Sequence, residues 1–235
     1  MIVALIPARG GSKRLPRKNV RPFAGKPLLQ YSIALAQAID RIDRCVVSTE
    51  DSEIAEVARR CGAEVIERPL ELADDRATTA SAVIHALERM RTGGDMPEAL
   101  VLLQPNCPLR PRALVVEALD LLAAGGCDSV VSVTSYHHKV GNINDGLFVP
   151  EYQPGTRSQE MPLRYFENGL VYAAWSRTVL EGGNLFGARV RPLITDPMYA
   201  LGDIDTALDL EVAEFLFQKY RSHFDWAPSD VTVHA

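Results

Sequence analysis

MIVALIPARGGSKRLPRKN, residues 1–19, joins a short apolar run to a glycine-rich loop that carries five cationic side chains. The run Val3 to Ile6 reads as a buried strand. Immediately after it come two adjacent glycines, a serine and the cations Arg9, Lys13, Arg14, Arg17 and Lys18. Successive backbone amides in such a loop can form a concave anion site, and the flanking cations supply charge-assisted bonds. The string GGSK lacks the four-residue gap and Gly-Lys-Ser/Thr of a Walker A loop. It also lacks the Gly-x-Gly-x-x-Gly of a dinucleotide fold. The anion is therefore expected to be phosphate held in some other arrangement.

Charge along the chain narrows the kind of anion. The 235 residues carry a net charge of -5, yet seven Lys or Arg and no acid precede Asp40. The remainder holds 18 basic and 30 acidic residues. A nucleic-acid protein would spread its cations more widely and interleave aromatics. A patch confined to one stretch favours a compact polyanion, so no nucleic acid is expected as a partner. No apolar run approaches the ~20 residues needed to span a bilayer, so no membrane partner is expected either. MIVALIP has no basic leader and is too short for a secretory core, which points to the cytoplasm. Cys45, Cys61, Cys107 and Cys127 have neither metal-ligand nor redox spacing and are expected to be reduced, mostly in the core.

Working outward, strands and helices alternate. LLQYSIALAQAI (28–39) has helical periodicity, RCVVST (44–49) reads as a strand, and Asp51 opens an acidic first turn for a helix ending at Gly62. AEVIER (63–68) is a third strand, and Thr79 or Ser81 can cap a helix closed by Gly93 and Gly94. EALVLLQ (98–104), a helix near 112–124 and DSVVSVTS (128–135) continue the pattern. After a β excursion, GLVYAAW (169–175), ARVRPLI (188–194) and a last helix from Asp205 to about Tyr220 complete it; the tail beyond Ser222 has no clear pattern. The expected fold is α/β, a three-layer αβα sandwich around a mostly parallel sheet covered on both faces. It forms a single domain, 1–235, with an inserted arm at about 136–168.

The string IPARGGSKRLPRKN, together with LQPNCPLR, YFENGLVY and GDIDTALDLEVAE, resembles the CMP-nonulosonate synthetases. This family comprises the N-acylneuraminate (sialic acid) cytidylyltransferases and their pseudaminate and legionaminate relatives. The similarity covers nearly the whole chain and implies the nucleotide-diphospho-sugar transferase-like, Rossmann-like form of the αβα fold. It implies a nucleotidyltransferase that joins CTP to a nonulosonic acid, giving CMP-sugar and pyrophosphate. N-acetylneuraminate is the preferred sugar, with legionaminate and pseudaminate as alternatives. A 3-deoxy-manno-octulosonate cytidylyltransferase and a non-catalytic nucleotide-binding module are the more distant ones.

The resemblance also assigns residues. Arg9, Gly10, Gly11, Ser12, Lys13 and Lys18 would surround the triphosphate, and Asn19 would place the nucleotide. Arg68, with groups near Ala77 and Thr79, would read cytosine. Gln104 and Asn106 would meet sugar hydroxyls, although related sequences more often have Thr-Ser where Asn106-Cys107 stands. Cys107 is open between a pocket contact and a packed residue. Arg157 would hold the sugar carboxylate through its guanidinium fork, with Gln159 and Asn168 shaping that site. Phe166 occupies a place where some members carry a second arginine, and Arg164 is near. The excursion resembles a dimer arm, so a homodimer is expected.

Asp203 and Asp205 alternate and so project to one side of an extended segment. They suit Mg²⁺ shared with phosphate oxygens, while Asp205 alone could also cap the following helix. Arg9, Lys13, Asp203 and Asp205 are thus the expected catalytic set. Arg14 and Arg17 are expected to face solvent. The five histidines form no catalytic constellation in the sequence, although His138 could lie near the sugar.

Overall fold

The computed structural model describes residues 1–228. The strands are β1 (Ile2–Pro7), β2 (Pro22–Phe23), β3 (Lys26–Pro27), β4 (Arg44–Thr49), β5 (Glu64–Glu67), β6 (Ala99–Leu102), β7 (Ser129–Tyr136), β8 (Gly141–Asn144), β9 (Leu147–Pro150), β10 (Arg164–Trp175) and β11 (Val190–Ile194). The helices are α1 (Leu28–Gln37), α2 (Ser52–Arg60), α3 (Thr79–Thr92), α4 (Arg112–Ala123), α5 (Ser176–Gly182), α6 (Pro197–Ala200) and α7 (Ala207–Lys219). Among the described residues, no helix is long and apolar enough to cross a membrane. His234 lies outside the described residues.

Seven strands form one sheet in the order β11-β7-β10-β6-β1-β4-β5. Pairing is parallel except where β10 runs against β6 and β7. Side-chain alternation divides each central strand between two cores. In β1, Ala4 and Ile6 pack toward residues of α1, α2, α4 and α7. Val3 and Leu5 pack toward Val83, Leu87 and Met90 of α3 and Val179 of α5. A strand buried on both faces must be apolar throughout, which is why IVALI contains no polar residue.

The chain runs β1, β4, β5 to one side and then returns to lay β6 on the other side of β1. That reversal opens a crevice beyond the carboxyl ends of β1 and β6, the usual ligand position in open α/β sheets.

Three local features differ from expectation. The N-cap of α3 is Thr78, whose side-chain oxygen accepts the amide of Ser81 at 3.1 Å. The N-cap of α7 is Thr206, which forms a capping box with Asp209, so Asp205 lies outside the helix and does not cap it. The excursion proper spans 137–163, because residues 164–167 already run in β10 against β7. Cys45, Cys107 and Cys127 are buried and all four thiols are free.

Candidate active site

The crevice is a cleft of about 480 Å³ lined by Arg9, Ser12, Lys13 and Asn19 from the first loop. Arg68, Ala77 and Thr79 enter from the β5–α3 side, Gln104 and Asn106 from the end of β6, and Asp205 from the α6–α7 link. Four separate segments of sequence meet in one place, and most of the residues expected to act together line it.

The first loop is pinned at several points. Ala8 donates its amide to Ser48 O at 2.9 Å, Leu15 is buried, and Asn19 Nδ2 donates to Arg9 O at 2.9 Å. Arg17 adopts a left-handed φ of 59°, and its guanidinium holds Asp51, the N-cap of α2, together with Glu53. Arg17 is thus an anchor of the loop and does not simply face solvent. Arg14 lines the cleft and pairs with Asp205 at 2.6 Å.

Gly10 and Gly11 are absent from the cleft lining. A Cβ on Gly10 would overlap the Asp51 carboxylate, so glycine here permits close packing of the loop on α2. The Gly10 amide is already donated to Glu50 Oε1 at 2.7 Å. The loop's positive charge on the cleft therefore includes Arg9 and Lys13, while the Gly10 amide is already occupied. Lys13 pairs with Asp75, while Arg9 Nη1 donates to Asp74 O at 2.8 Å and lies 3.8 Å from the Asp75 carboxylate.

Glu50, which the motifs did not reveal, lies behind the cleft lining and contacts two of the expected site residues, Gly10 and Arg68. Its second oxygen accepts Nε and Nη2 of Arg68 at 3.2 and 3.1 Å. Arg68 is 8% exposed, and burial lowers its pKa while Glu50 opposes that shift. One carboxylate thereby ties the phosphate loop to the expected cytosine reader. The available signal was an acid directly after the apolar strand β4.

On the opposite wall, Asp205 accepts Lys18 Nζ at 2.9 Å, and that ammonium also reaches Ile204 O at 2.9 Å. Asp203 Oδ1 accepts Asn106 Nδ2 at 2.5 Å. Packing raises the pKa of Asp203, the nearby charge of Asp205 adds to this, and Asn106 and Lys18 oppose it. Among the described residues no three His, Cys, Asp or Glu side chains group to hold a metal. Asp205 lines the cleft and Asp203 does not; together their carboxylates are the kind of oxygen donors that would suit a hard cation completed by phosphate and water.

Three expected sugar contacts are elsewhere. Asn168 is 5% exposed and spends its whole side chain internally. Its Nδ2 donates to Thr134 and Thr195 hydroxyls at 2.8 and 2.7 Å, and its Oδ1 accepts Ser132 Oγ at 2.6 Å and the Leu170 amide at 3.1 Å. It organises the irregularity in β10, where the register with β7 shifts and Gly169 takes φ 72°. Asn168 is structural because no donor or acceptor remains for a sugar.

Arg157 and Gln159 border a separate open depression on the excursion beside His137, and Arg157 lies 4.0 Å from Glu160. They are not part of the cleft within one chain. Arg164 is held by Glu151 at 2.8 Å, and His138 stacks on Tyr136. Cys107 is buried beneath the floor with Sγ 4.0 Å from Asp203 Oδ1; burial raises its pKa to about 12, so it is a packed neutral thiol.

A family model described as cytidylyltransferase matches residues 3–107. The pseudaminic acid cytidylyltransferase of Campylobacter jejuni is 31% identical over 223 residues, covering 92% of this chain and 96% of that protein. This chain belongs to the cytidylyltransferase family. The CMP-N,N'-diacetyllegionaminic acid synthase of Legionella pneumophila is 33% identical to this cytidylyltransferase, with 92% and 96% covered. The N-acylneuraminate cytidylyltransferase of Escherichia coli is 32% identical over 93% of this chain and 52% of that protein. Among solved structures, a CMP:2-keto-3-deoxy-manno-octonic acid synthetase complexed with CTP superposes with a TM-score of 0.70 at 17% identity, covering 93% and 98% of the two chains. That likeness establishes the nucleotide-sugar transferase-like fold of this cytidylyltransferase.

Proposed function

We propose that the protein activates a nonulosonic acid with CTP, releasing pyrophosphate and forming a CMP-sugar. The observation that carries this reading is the convergence of Arg9, Lys13, Arg68, Gln104 and Asp205 on one cleft at the sheet's switch point. The anomeric hydroxyl forms a bond to the α-phosphorus, the bond to the bridging oxygen of pyrophosphate breaks, and the hydroxyl proton is lost. Arg9 and Lys13 exchange Asp75 for the triphosphate and offset charge that grows on the departing pyrophosphate. Arg68, held rigid by Glu50, donates to the acceptor edge of cytosine. Gln104 and Asn106 face the sugar end of the cleft and orient the attacking hydroxyl.

Asp203 and Asp205 would hold Mg²⁺, which when bound neutralises phosphate charge. The Asp203/Asp205 cluster is the side-chain candidate for accepting the hydroxyl proton.

The excursion is read as a homodimer arm. Ile143, Leu147 and Phe148 on it are 67%, 70% and 54% exposed, a density of bare apolar surface that favours burial against a second copy. Arg157 and Gln159 ride on that arm, so their proposed carboxylate contact is made to the partner's cleft.

N-acetylneuraminate is the first sugar to test; identities of 31–33% to the three kinds of relative do not rank them. The deciding assay is pyrophosphate release with CTP, Mg²⁺ and N-acetylneuraminate, legionaminate, pseudaminate and 3-deoxy-manno-octulosonate in parallel. Release with a nonulosonic acid is expected. Tight CTP binding with no release from any sugar would support a non-catalytic module instead. A chain acting in the cytoplasm, where CTP is present, fits the reading.

A further inference from the structure

Among the described residues Arg110 is the largest fully buried side chain, at 1% exposure, and its guanidinium holds Gln104, which lines the cleft. Its Nη2 donates to Gln104 O at 3.0 Å, its Nη1 to Ser32 Oγ at 3.4 Å, and its Nε to Leu170 O. Three elements are joined by one guanidinium: the strand end that carries Gln104, helix α1, and β10 within its irregularity. Among the described residues no carboxylate pairs with it. Burial lowers its pKa to about 10, which leaves it charged at neutral pH.

A buried cation without a counter-ion costs several kcal/mol, and an apolar side chain of similar volume would usually serve packing as well or better. The contacts on this cation point to what it does. Gln104 passes over Gly169 so closely that a Cβ there would lie 3.3 Å from Gln104 Nε2 and 3.4 Å from Cys107 Sγ. The distance between Gln104 and the Gly169–Leu170 segment therefore fixes where the Gln104 amide points, and Arg110 bridges the two carbonyls that set it.

We propose that Arg110 is a positioning residue for the sugar half of the reaction: it clamps Gln104 against β10 and puts fixed positive charge beneath the floor on which an anionic sugar lies. The inference rests on the nonulosonate reading above. Its effect should fall on the sugar, because the phosphate loop and Arg68 are held by Glu50 and Asp51, which Arg110 does not touch.

The test compares wild type, R110K and R110M in CTP binding by calorimetry and in steady-state turnover across pH 6 to 9.5. Both variants should unfold cooperatively and bind CTP within about threefold of wild type, while R110M raises the sugar KM at least tenfold. A lysine buried at this position is charged only below a depressed pKa. The ratio of R110K to R110M in kcat/KM for the sugar should therefore rise as pH falls, a response that loss of packing alone would not give. A sugar KM within twofold of wild type in both variants overturns the proposal, as does a pH-independent ratio. Loss of cooperative unfolding in both would make Arg110 a stability residue and also overturn it. If wild type turns over none of the sugars, the nonulosonate reading itself has failed and the proposal falls with it.

Discussion

Replacing Glu50 with alanine should damage both folding and nucleotide recognition. The Glu50 and Arg68 side chains are 11% and 4% exposed, and the pair is joined by two hydrogen bonds while Glu50 also accepts the Gly10 amide. E50A leaves the buried Arg68 charge and one loop amide without a partner. Breaking a buried pair on one side costs about 3–5 kcal/mol. For a domain of this size that is a fall of roughly 6–20 °C in Tm. E50Q keeps the shape and one acceptor, so it should lose less. Replacing both partners with E50L/R68M should recover much of the stability and none of the CTP affinity, since the proposed base reader is gone. Thermal unfolding by circular dichroism and CTP binding by calorimetry read the two effects separately. An E50A protein within about 1 kcal/mol of wild type, with unaltered CTP affinity, would refute the role given to this carboxylate.

Other outcomes follow from the same geometry. D75N frees Arg9 and Lys13 from their exposed partner and should tighten CTP binding roughly two- to fivefold at low salt, a gain that shrinks as salt rises; weaker binding would show that Asp75 helps hold the nucleotide. Asp203 has a raised pKa, so the folded state keeps its proton more firmly than the unfolded chain. The associated stability is full below the unfolded pKa and lost as pH rises through the folded one. D203N should accordingly raise Tm at pH 7 while abolishing most product formation, and a lowered Tm would contradict the assignment. N168A strands the hydroxyls of Ser132, Thr134 and Thr195 and should cost about 2–4 kcal/mol in urea unfolding; near-wild-type stability with a raised sugar KM would restore Asn168 to the sugar site.

The sheet was legible because its strands are buried on both faces: IVALI, CVVST and ALVLLQ announce themselves by composition. The first loop was legible because its charge is out of balance with the chain. Residues whose roles depend on where other strands lie were not. Asn168 was expected to shape the sugar site, yet it is a buried hub because Ser132, Thr134 and Thr195 from β7 and just past the end of β11 surround it. Glu50 looks like the start of an acidic helix turn, and only the fold brings Gly10 and Arg68 to its two oxygens. In ATTAS three hydroxyls compete for one cap, and sequence alone does not choose Thr78. Arg157 carries the right chemistry for a carboxylate, but its position follows from the path of the excursion, which no periodicity encodes.

The most direct test of the central claim follows the oxygen atom. A nonulosonic acid labelled with ¹⁸O at the anomeric hydroxyl is incubated with CTP, Mg²⁺ and the protein, and the nucleotide product is weighed by mass spectrometry. Attack of that hydroxyl on the α-phosphorus predicts CMP-sugar retaining the label, with unlabelled pyrophosphate. Unlabelled CMP-sugar, or CTP left intact with every sugar supplied, would contradict the account.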